Sequence, residues 1–404
     1  MHYDDIIIGS GLSALAVALG LREAQRRRVL VIAGAESGLR TYPGANVPAA
    51  RGGRGGMGEY WHGVIPLSLH HRPAGLDDDS WVRLADHFYP SADLGGHIGH
   101  AQYFVPRRPI RPADHFAALA SQGEVEIADV DAVRIEPGQG VGETQGVITA
   151  DRQFSARRLW VCAGALATPA LLARSGLIDG DARSVSDHII GYAGQVDADE
   201  ATESMMATVR RGPEGVFFPF RFGGAHDHFF TLRPARFDFA KVDAGIAKRA
   251  VFGLPTSRIV SGLAGNISPG LIAEAFYNKF GLFAHAPRYS VYFQTLAADA
   301  YLLDADGGLA LNPDRGAGGA TAAPNATVPF ANVARTRQPE LYIPGIHLHG
   351  SLTQPECEHF GPEREFCNIH LVDAAALRDI GPEHHSFAMM AAAYRRAITL
   401  ASQD

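Results

Sequence analysis

The first 34 residues constrain this chain more than any other stretch. "DDIIIGSGLSALAVALGLREAQRRRVLVIAG" opens on a short apolar run, Ile6 to Ile8, and turns through Gly9-Ser10-Gly11-Leu12-Ser13-Ala14. A helix follows with Leu12, Leu15, Ala16, Leu19 and Ala24 on one side, and a second apolar run, Val29 to Ile32, closes the unit. Strand, glycine turn, helix and strand in this order form a βαβ unit, and the turn reads GxGxxA. Gly9 makes the turn, Gly11 lets backbone approach a pyrophosphate, and small Ala14 lets helix pack on strand. The helix N-terminus then faces negative charge. The second strand should end in Asp or Glu to hold a ribose hydroxyl. Here that place is Ala33, and Glu36 is the nearest acid beyond it.

A second feature is "GGRGGMGEYWHGVIP", residues 52 to 66, where Gly52, Gly53, Gly55, Gly56 and Gly58 fall within seven positions. Glycine at that density costs backbone entropy and marks main chain that comes very close to something. Residues 71 to 120 read as irregular segments with short helices. Residues 123 to 163 read as a β-meander, and residues 190 to 330 carry strand patterns such as "GVFFPFRF" and "YSVYFQTLA". The chain ends in a helix, "SFAMMAAAYRRAITLA".

At 404 residues there is enough chain for a large core. The formal charge of −7 and the lack of a large basic cluster argue against nucleic acid as partner. Three cysteines (Cys162, Cys357, Cys367) make no disulfide framework and fit a reducing compartment. The chain runs from Met1 straight into a strand, and its longest apolar stretch, from Leu159, contains Pro169 and is too short for a membrane span. The expectation is a cytoplasmic protein. Six of the 18 histidines (His347, His349, His359, His370, His384, His385) lie between positions 347 and 385, where an even spread would put about two. A zinc site on His347, His349, Cys357 and His359 is the metal alternative, but structural zinc prefers two well-spaced ligand pairs with more cysteine. No metal is expected.

"WVCAGALATPALLARSGLI", from Trp160, resembles the second signature of the glucose–methanol–choline (GMC) oxidoreductases. Ala163, Gly164, Thr168, Pro169, Leu171, Leu172, Ser175 and Gly176 supply its residue types in order, although the run to Ser175 is one residue short and Ile178 replaces the final glycine. Asp187-His188 is similar to the family's Asp-His beyond this helix. "GGMGEYWHGVIP" resembles the family's flavin-facing loop, most nearly in its pyranose oxidase branch, through Gly55, Gly56, Met57, Trp61 and Pro66. In that branch the residue before Trp is a His bonded to flavin. Tyr60 stands there, so the resemblance implies noncovalent FAD, with neighbouring His62 a minor candidate for a linkage. "NIHLVDAAALRDIGPEHHSFAMM" resembles the closing segment through Asn368, Asp373, Ala374 and Ala375, and its active-site position falls on His384, with His385 beside it. "HLHGS" is similar to the family's His-x-x-Gly-Ser and puts His347 on the catalytic base, with His349 a close rival.

The resemblance implies an α/β fold, α+β overall, with a Rossmann-type FAD-binding domain (residues 1–70, 121–189 and 335–404). A discontinuous, sheet-based substrate domain takes residues 71–120 and 190–334. It implies cofactor contacts from Gly9, Gly11, Leu12, Ser13, Ala14, Glu36, Gly55, Gly56, Met57, Tyr60, Trp61, His62, Val130, Ala163, Gly164, Asp373, Ala374 and Ser386. The expected activity is FAD-dependent oxidation of an alcohol, a sugar or a natural-product intermediate, and the electron acceptor is left open. The alternative is a flavin-containing enzyme of net non-redox chemistry, a cyclisation, isomerisation or elimination. A flavin-free binding protein is the third reading. Phe217, Phe218, Phe220, Tyr289, Tyr292 and Phe293 suit a sugar ring or a hydrophobic ligand, but core packing is the commoner role for such side chains.

Overall fold

The computed structural model describes residues 2–25, 28–36, 38–43, 47–138, 143–224, 226–235, 269–305, 307–315, 328–334, 343–345, 347–360, 366, 368–378 and 380–403. The Gly/Ala-rich stretch 316–327 and Cys367 lie outside them. In chain order the elements begin β1 (His2–Ile8), α1 (Leu12–Glu23), β2 (Val29–Ile32), β3 (Leu39–Thr41), β4 (Pro48–Arg51), β5 (Ile65–Pro66), α2 (Asp78–Phe88), β6 (Gln102–Pro106) and α3 (Pro112–Ser121). They continue through β7 (Glu126–Ala128), β8 (Arg134–Glu136), β9 (Gln145–Ile148), β10 (Gln153–Val161), α4 (Ala167–Arg174), β11 (Arg183–Asp197), α5 (Glu200–Ala207), β12 (Arg210–Arg211), β13 (Gly215–Pro219), β14 (Arg221–Phe222) and β15 (His228–Pro234). The rest are α6 (Pro269–Phe280), β16 (Arg288–Leu303), β17 (Leu309–Leu311), β18 (Ile343–Pro344), α7 (Gln354–Glu358), β19 (Ile369–Leu371) and α8 (Ser386–Ala401).

Five strands of the first sheet are parallel, in the order β7-β2-β1-β10-β19. In sequence rank this is 3-2-1-4-5, the order of a dinucleotide-binding sheet. Its strands are apolar on both faces, as a sheet covered on both sides must be. Ile7, Val31 and Trp160 face one core with α1 and α8, while Ile6, Ile8, Leu30, Ile32, Leu159 and Val161 face the other with α4. Helix α1 is buried from Leu12 to Leu21, which is why its sequence is apolar almost all round. Inside this sheet Asp5 is fully buried and accepts bonds from Arg158 Nε (2.9 Å), Arg158 Nη2 (3.2 Å) and Trp160 Nε1 (2.9 Å). Arg158 also donates to the Leu400 carbonyl at 2.6 Å and so fastens the end of α8 to the sheet.

The meander expected over 123–163 divides. Glu126–Ala128 pairs parallel with β2 as the third Rossmann strand, and within this stretch only the β8–β9 and β9–β10 pairs are antiparallel. Alternation of apolar residues does not distinguish a parallel from an antiparallel partner, and helix α3 just before β7 is the crossover that the sequence pattern hid.

A second sheet, β14-β15-β16-β11-β18 with β17 on β16, and a third, β12-β13-β6-β5, enclose another core. Phe218, Phe220, Tyr289 and Phe293 are buried in it, and Phe217 is buried in the first core. Strand β11 runs unbroken through position 189, where the sequence reading drew a domain boundary.

Helices α1 and α8 cross at Gly20. A Cβ there would lie 2.6 Å from the Tyr394 carbonyl oxygen and 2.8 Å from Ala397 Cβ. Helix propensity alone favours Gly20→Ala by about 1 kcal/mol, whereas overpacking costs about 1–3 kcal/mol. Backbone and a methyl group cannot swing aside, so G20A is expected to lower unfolding free energy. A denaturant melt showing G20A more stable than the parent would refute this crossing.

Candidate functional site

The parallel strands end flush, and the turns beyond them meet. Gly9, at φ +110, has its Cα side against the β10 end, and a Cβ there would sit 2.2 Å from the Cys162 carbonyl oxygen. Ser10 joins this turn to the glycine loop. Its hydroxyl accepts from Gly55 N–H at 3.0 Å and lies 3.3 Å from the carbonyls of Ala33 and Gly53. A Cβ on Gly11 would meet nothing nearer than the Gly55 carbonyl at 3.9 Å, and one on Gly164 would meet nothing within 4 Å. These glycines leave open space at the N-terminus of α1, which no side chain caps. Unspent N–H groups at the positive end of a helix dipole fit a pyrophosphate.

The open space is a cavity of about 660 Å³. Of the residues expected to touch a cofactor, Gly9, Gly11, Leu12, Ser13, Gly56, Met57, Tyr60, Trp61, His62, Ala163, Gly164, Asp373, Ala374 and Ser386 line it. Four do not. Ala14, in the first turn of α1, is fully buried in the first core, Gly55 is spent on Ser10, and Val130 packs against the second core. Glu36 turns its side chain, 85% exposed, toward Arg51 at 3.7 Å. Lining there comes instead from Gly34, Asp131, Ala132 and Val133.

Asp373 is buried and fully engaged. Its Oδ2 accepts from Gly164 N–H (2.7 Å) and Thr168 Oγ1 (2.6 Å), and its Oδ1 accepts from Ala375 N–H (2.9 Å). Burial raises its pKa, against the pull of those three donors. The carboxylate holds the turn after β10 in place, and Ser351 Oγ ties the histidine loop to the same turn through the Ala165 carbonyl.

His347, His384 and His385 line the same cavity. The rings of His347 and His384 are 5.5 Å apart, and those of His347 and His385 are 5.2 Å apart. Buried His349 stands behind them, 5.4 Å from His385, with its Nδ1 against the His347 carbonyl at 2.7 Å. A fifth ring completes the cluster: His188, fully buried in β11, lies 5.0 to 5.7 Å from His385, His347 and His349. Asp187 beside it accepts from His188 N–H (2.7 Å) and His347 N–H (2.8 Å) through one oxygen. The loop bearing His384 and His385 is pinned three times: His188 Nε2 to the Gly381 carbonyl, Gln294 Nε2 to the Pro382 carbonyl, and His71 N–H to Glu383, each at 2.7 Å. The second sheet thus aims the histidines at a cavity that the first sheet opens.

Of the other crowded histidines, His370 packs on Trp160 at 4.7 Å and His359 is exposed beyond α7, neither in the cavity wall. The sequence reading notes His188 only as half of the Asp-His match and gives it no place among the site histidines, since it lies some 160 positions before His347, and it reads Ser10 only as the x of GxG. Arg40, Tyr42 and Arg51 of the β3–β4 hairpin also line the cavity, and no pattern in the sequence marked that hairpin.

No family model and no curated protein matches the chain. Among solved structures it is similar to pyridoxine 4-oxidase from Mesorbium loti (14% identity, 99% of each chain, TM-score 0.49). It is similar to an FAD-dependent oxidoreductase from Chaetomium thermophilum (12% identity, 99% of each chain, TM-score 0.49). It is also similar to thioredoxin reductase from Lactococcus lactis (18% identity, 40% of this chain and 36% of that one, TM-score 0.21).

Burial and neighbouring imidazoles hold His188 and His385 well below the ordinary histidine pKa, and burial brings His349 down to about 4. In the unfolded chain all three take up protons as pH falls through about 6.5. Between that pH and their folded values the unfolded state binds more protons. Stability therefore falls as pH drops from about 6.5 toward 4, by up to about 1.4 kcal/mol per pH unit for each buried imidazole. Asp373 acts in the opposite sense: its raised pKa makes stability fall as pH rises above 3.8 through its folded value. Urea midpoints at pH 7 and pH 5 should differ accordingly, and His349→Asn should flatten the slope. An unchanged slope in that variant would show that His349 is not held neutral by the fold.

Proposed function

We propose that this chain binds FAD without a covalent link and oxidises the CH–OH group of a small molecule. The observation that carries the reading is continuity: one cavity runs from the uncapped start of α1, past the glycine loop, to His347 and His384. A cofactor long enough to set its pyrophosphate on Gly11 would have its reactive end near those imidazoles. The resemblance to GMC oxidoreductases supports the same assignment through the glycine loop, the strand–helix signature and the closing segment. On this reading FAD, when bound, supplies the hydride acceptor.

The protein's own residues supply the rest. His347 is the general base for the substrate hydroxyl, at a pH where neutral imidazole is abundant. Asp187 fixes its backbone, and the His349 ring fixes its carbonyl. His384, its ring 5.5 Å from that of His347, orients the hydroxyl. Trp61, Leu348 and Met389 line the wall and exclude water. On this reading the two parts of the chain's work divide between its sheets. The first sheet and its helices hold the cofactor, and the second and third sheets close over the substrate.

Tyr60 stands where a linking histidine would be, so acid precipitation of yellow protein should release all flavin into the supernatant. Colour retained in the pellet would point to His62. His347→Ala should keep flavin bound yet slow its anaerobic bleaching by a responsive alcohol at least about a hundredfold. Bleaching at the parent rate would remove His347 from this role. A product isomeric with its substrate, formed without consumption of an oxidant, would replace oxidation by the non-redox reading.

A further inference from the structure

The end of β2 lacks the acid that a ribose-binding βαβ unit places there. Ala33 is buried, and Glu36 points to solvent beside Arg51. A different carboxylate occupies the gap. Asp131, in the loop after the neighbouring strand β7, reaches across to the loop after β2, where its Oδ1 accepts from Ala35 N–H at 3.0 Å. That oxygen lies 3.5 Å from where a Cβ on Gly34 would be. Both Gly34 and Asp131 line the cavity. The adjacent acid, Asp129, is committed elsewhere, held bidentately by Arg54 at 2.7 Å and 2.7 Å. Among the described residues the Oδ2 of Asp131 has no hydrogen-bond partner, so one oxygen is anchored and the other is free to accept.

We infer that Asp131 is the ribose-binding carboxylate of this chain, supplied from the third strand's loop, and that it selects an adenosine nucleotide whose 2′- and 3′-hydroxyls are free. This rests on the dinucleotide reading above and deepens it. A carboxylate accepts two neighbouring hydroxyls well and repels a phosphate in the same place. Arg51 and Arg40 also line the cavity, and they are the argument for the opposite preference, a 2′-phosphorylated ribose. Both have other partners: Arg51 faces Glu36, and Arg40 donates to the Gly307 carbonyl at 2.8 Å. The geometry favours the free diol.

The test is displacement of flavin from the purified protein, or direct calorimetric titration, with ADP, 2′-deoxy-ADP and 2′-phospho-ADP. The parent should prefer ADP over 2′-deoxy-ADP by about tenfold or more, the scale of one hydrogen bond to a charged group. In Asp131→Ala that ratio should fall to near one, and Asp131→Asn should keep part of it. Glu36→Gln should leave it unchanged. Loss of the Ala35 anchor alone would weaken both nucleotides equally and leave the ratio intact, so the ratio separates ribose contact from loop support. An unchanged ratio in Asp131→Ala, a ratio lost in Glu36→Gln, or tighter binding of 2′-phospho-ADP than ADP would each overturn the inference. Protein that binds FAD while the ratio ignores Asp131 sinks this inference alone. Protein that shows the Asp131-dependent ratio yet takes up no FAD sinks the flavin reading alone.

Discussion

Parallel pairing of β1 with β10 sets the geometry of everything above it. The register runs Ile6 to Leu159, Ile7 to Trp160 and Ile8 to Val161, so both strands stop at the same height. The turns that follow then have to share one small volume. Only glycine at position 9 permits this, since any side chain would run into the Cys162 carbonyl. Ser10 and Asp373 complete the arrangement from opposite sides, one by bonding the glycine loop and the other by bonding Gly164. With these polar groups spent on each other, the backbone N–H groups at the start of α1 remain for a ligand. Substituting Gly9 would therefore disturb both turns and the helix start together.

At the histidines the second sheet meets this frame through Asp187 and His188, and each acts on more than one partner. Asp187 holds two backbone N–H groups, one on each of two chain segments that carry histidines. His188 then bonds the Gly381 carbonyl while its ring packs on three other imidazoles. Gly345 packs against His188 so closely that a Cβ would lie 2.7 Å from the histidine's own Cβ. Small residues and a single carboxylate thus place side chains from positions 188, 347 and 384 around one point. Precision at a site is supplied by such supporting contacts more than by the reacting groups themselves.

How much of this could be read from the sequence depended on whether the signal was local. The βαβ turn, α1, β2 and α8 are written in adjacent residues, because backbone close approach demands glycine and a buried helix demands an apolar run. His347 and His384 were within reach because short motifs surround them. His188 was marked by the Asp-His match alone, and its place in the histidine cluster was not legible because its neighbours in space come from distant segments. Glu36 stands outside the cavity wall for a similar reason. Proximity along the chain suggested it, whereas the side chain that faces the loop after β2 comes from the far end of a crossover. The third strand was misread as part of a meander because alternation carries no information about partner direction.

Five imidazoles this close cannot all be charged. Two protonated rings about 5 Å apart repel by about 3 kcal/mol at an effective dielectric near 20, which is enough to shift a titration by about two pH units. The tautomers follow from the carbonyls they meet. His188 donates from Nε2 and His349 from Nδ1, so each neutral ring leaves its other nitrogen bare. A positive charge costs least where burial is least, and the cluster is graded in that respect. His188, His349 and His385 are buried, while His347 and His384 are half-buried at the cavity wall. On the proposed reading, the neutral interior of the cluster keeps any proton taken from a substrate at the two outer rings. The buried histidines then work by staying uncharged: they present polarisable, hydrogen-bonding surfaces without adding a competing cation next to the base.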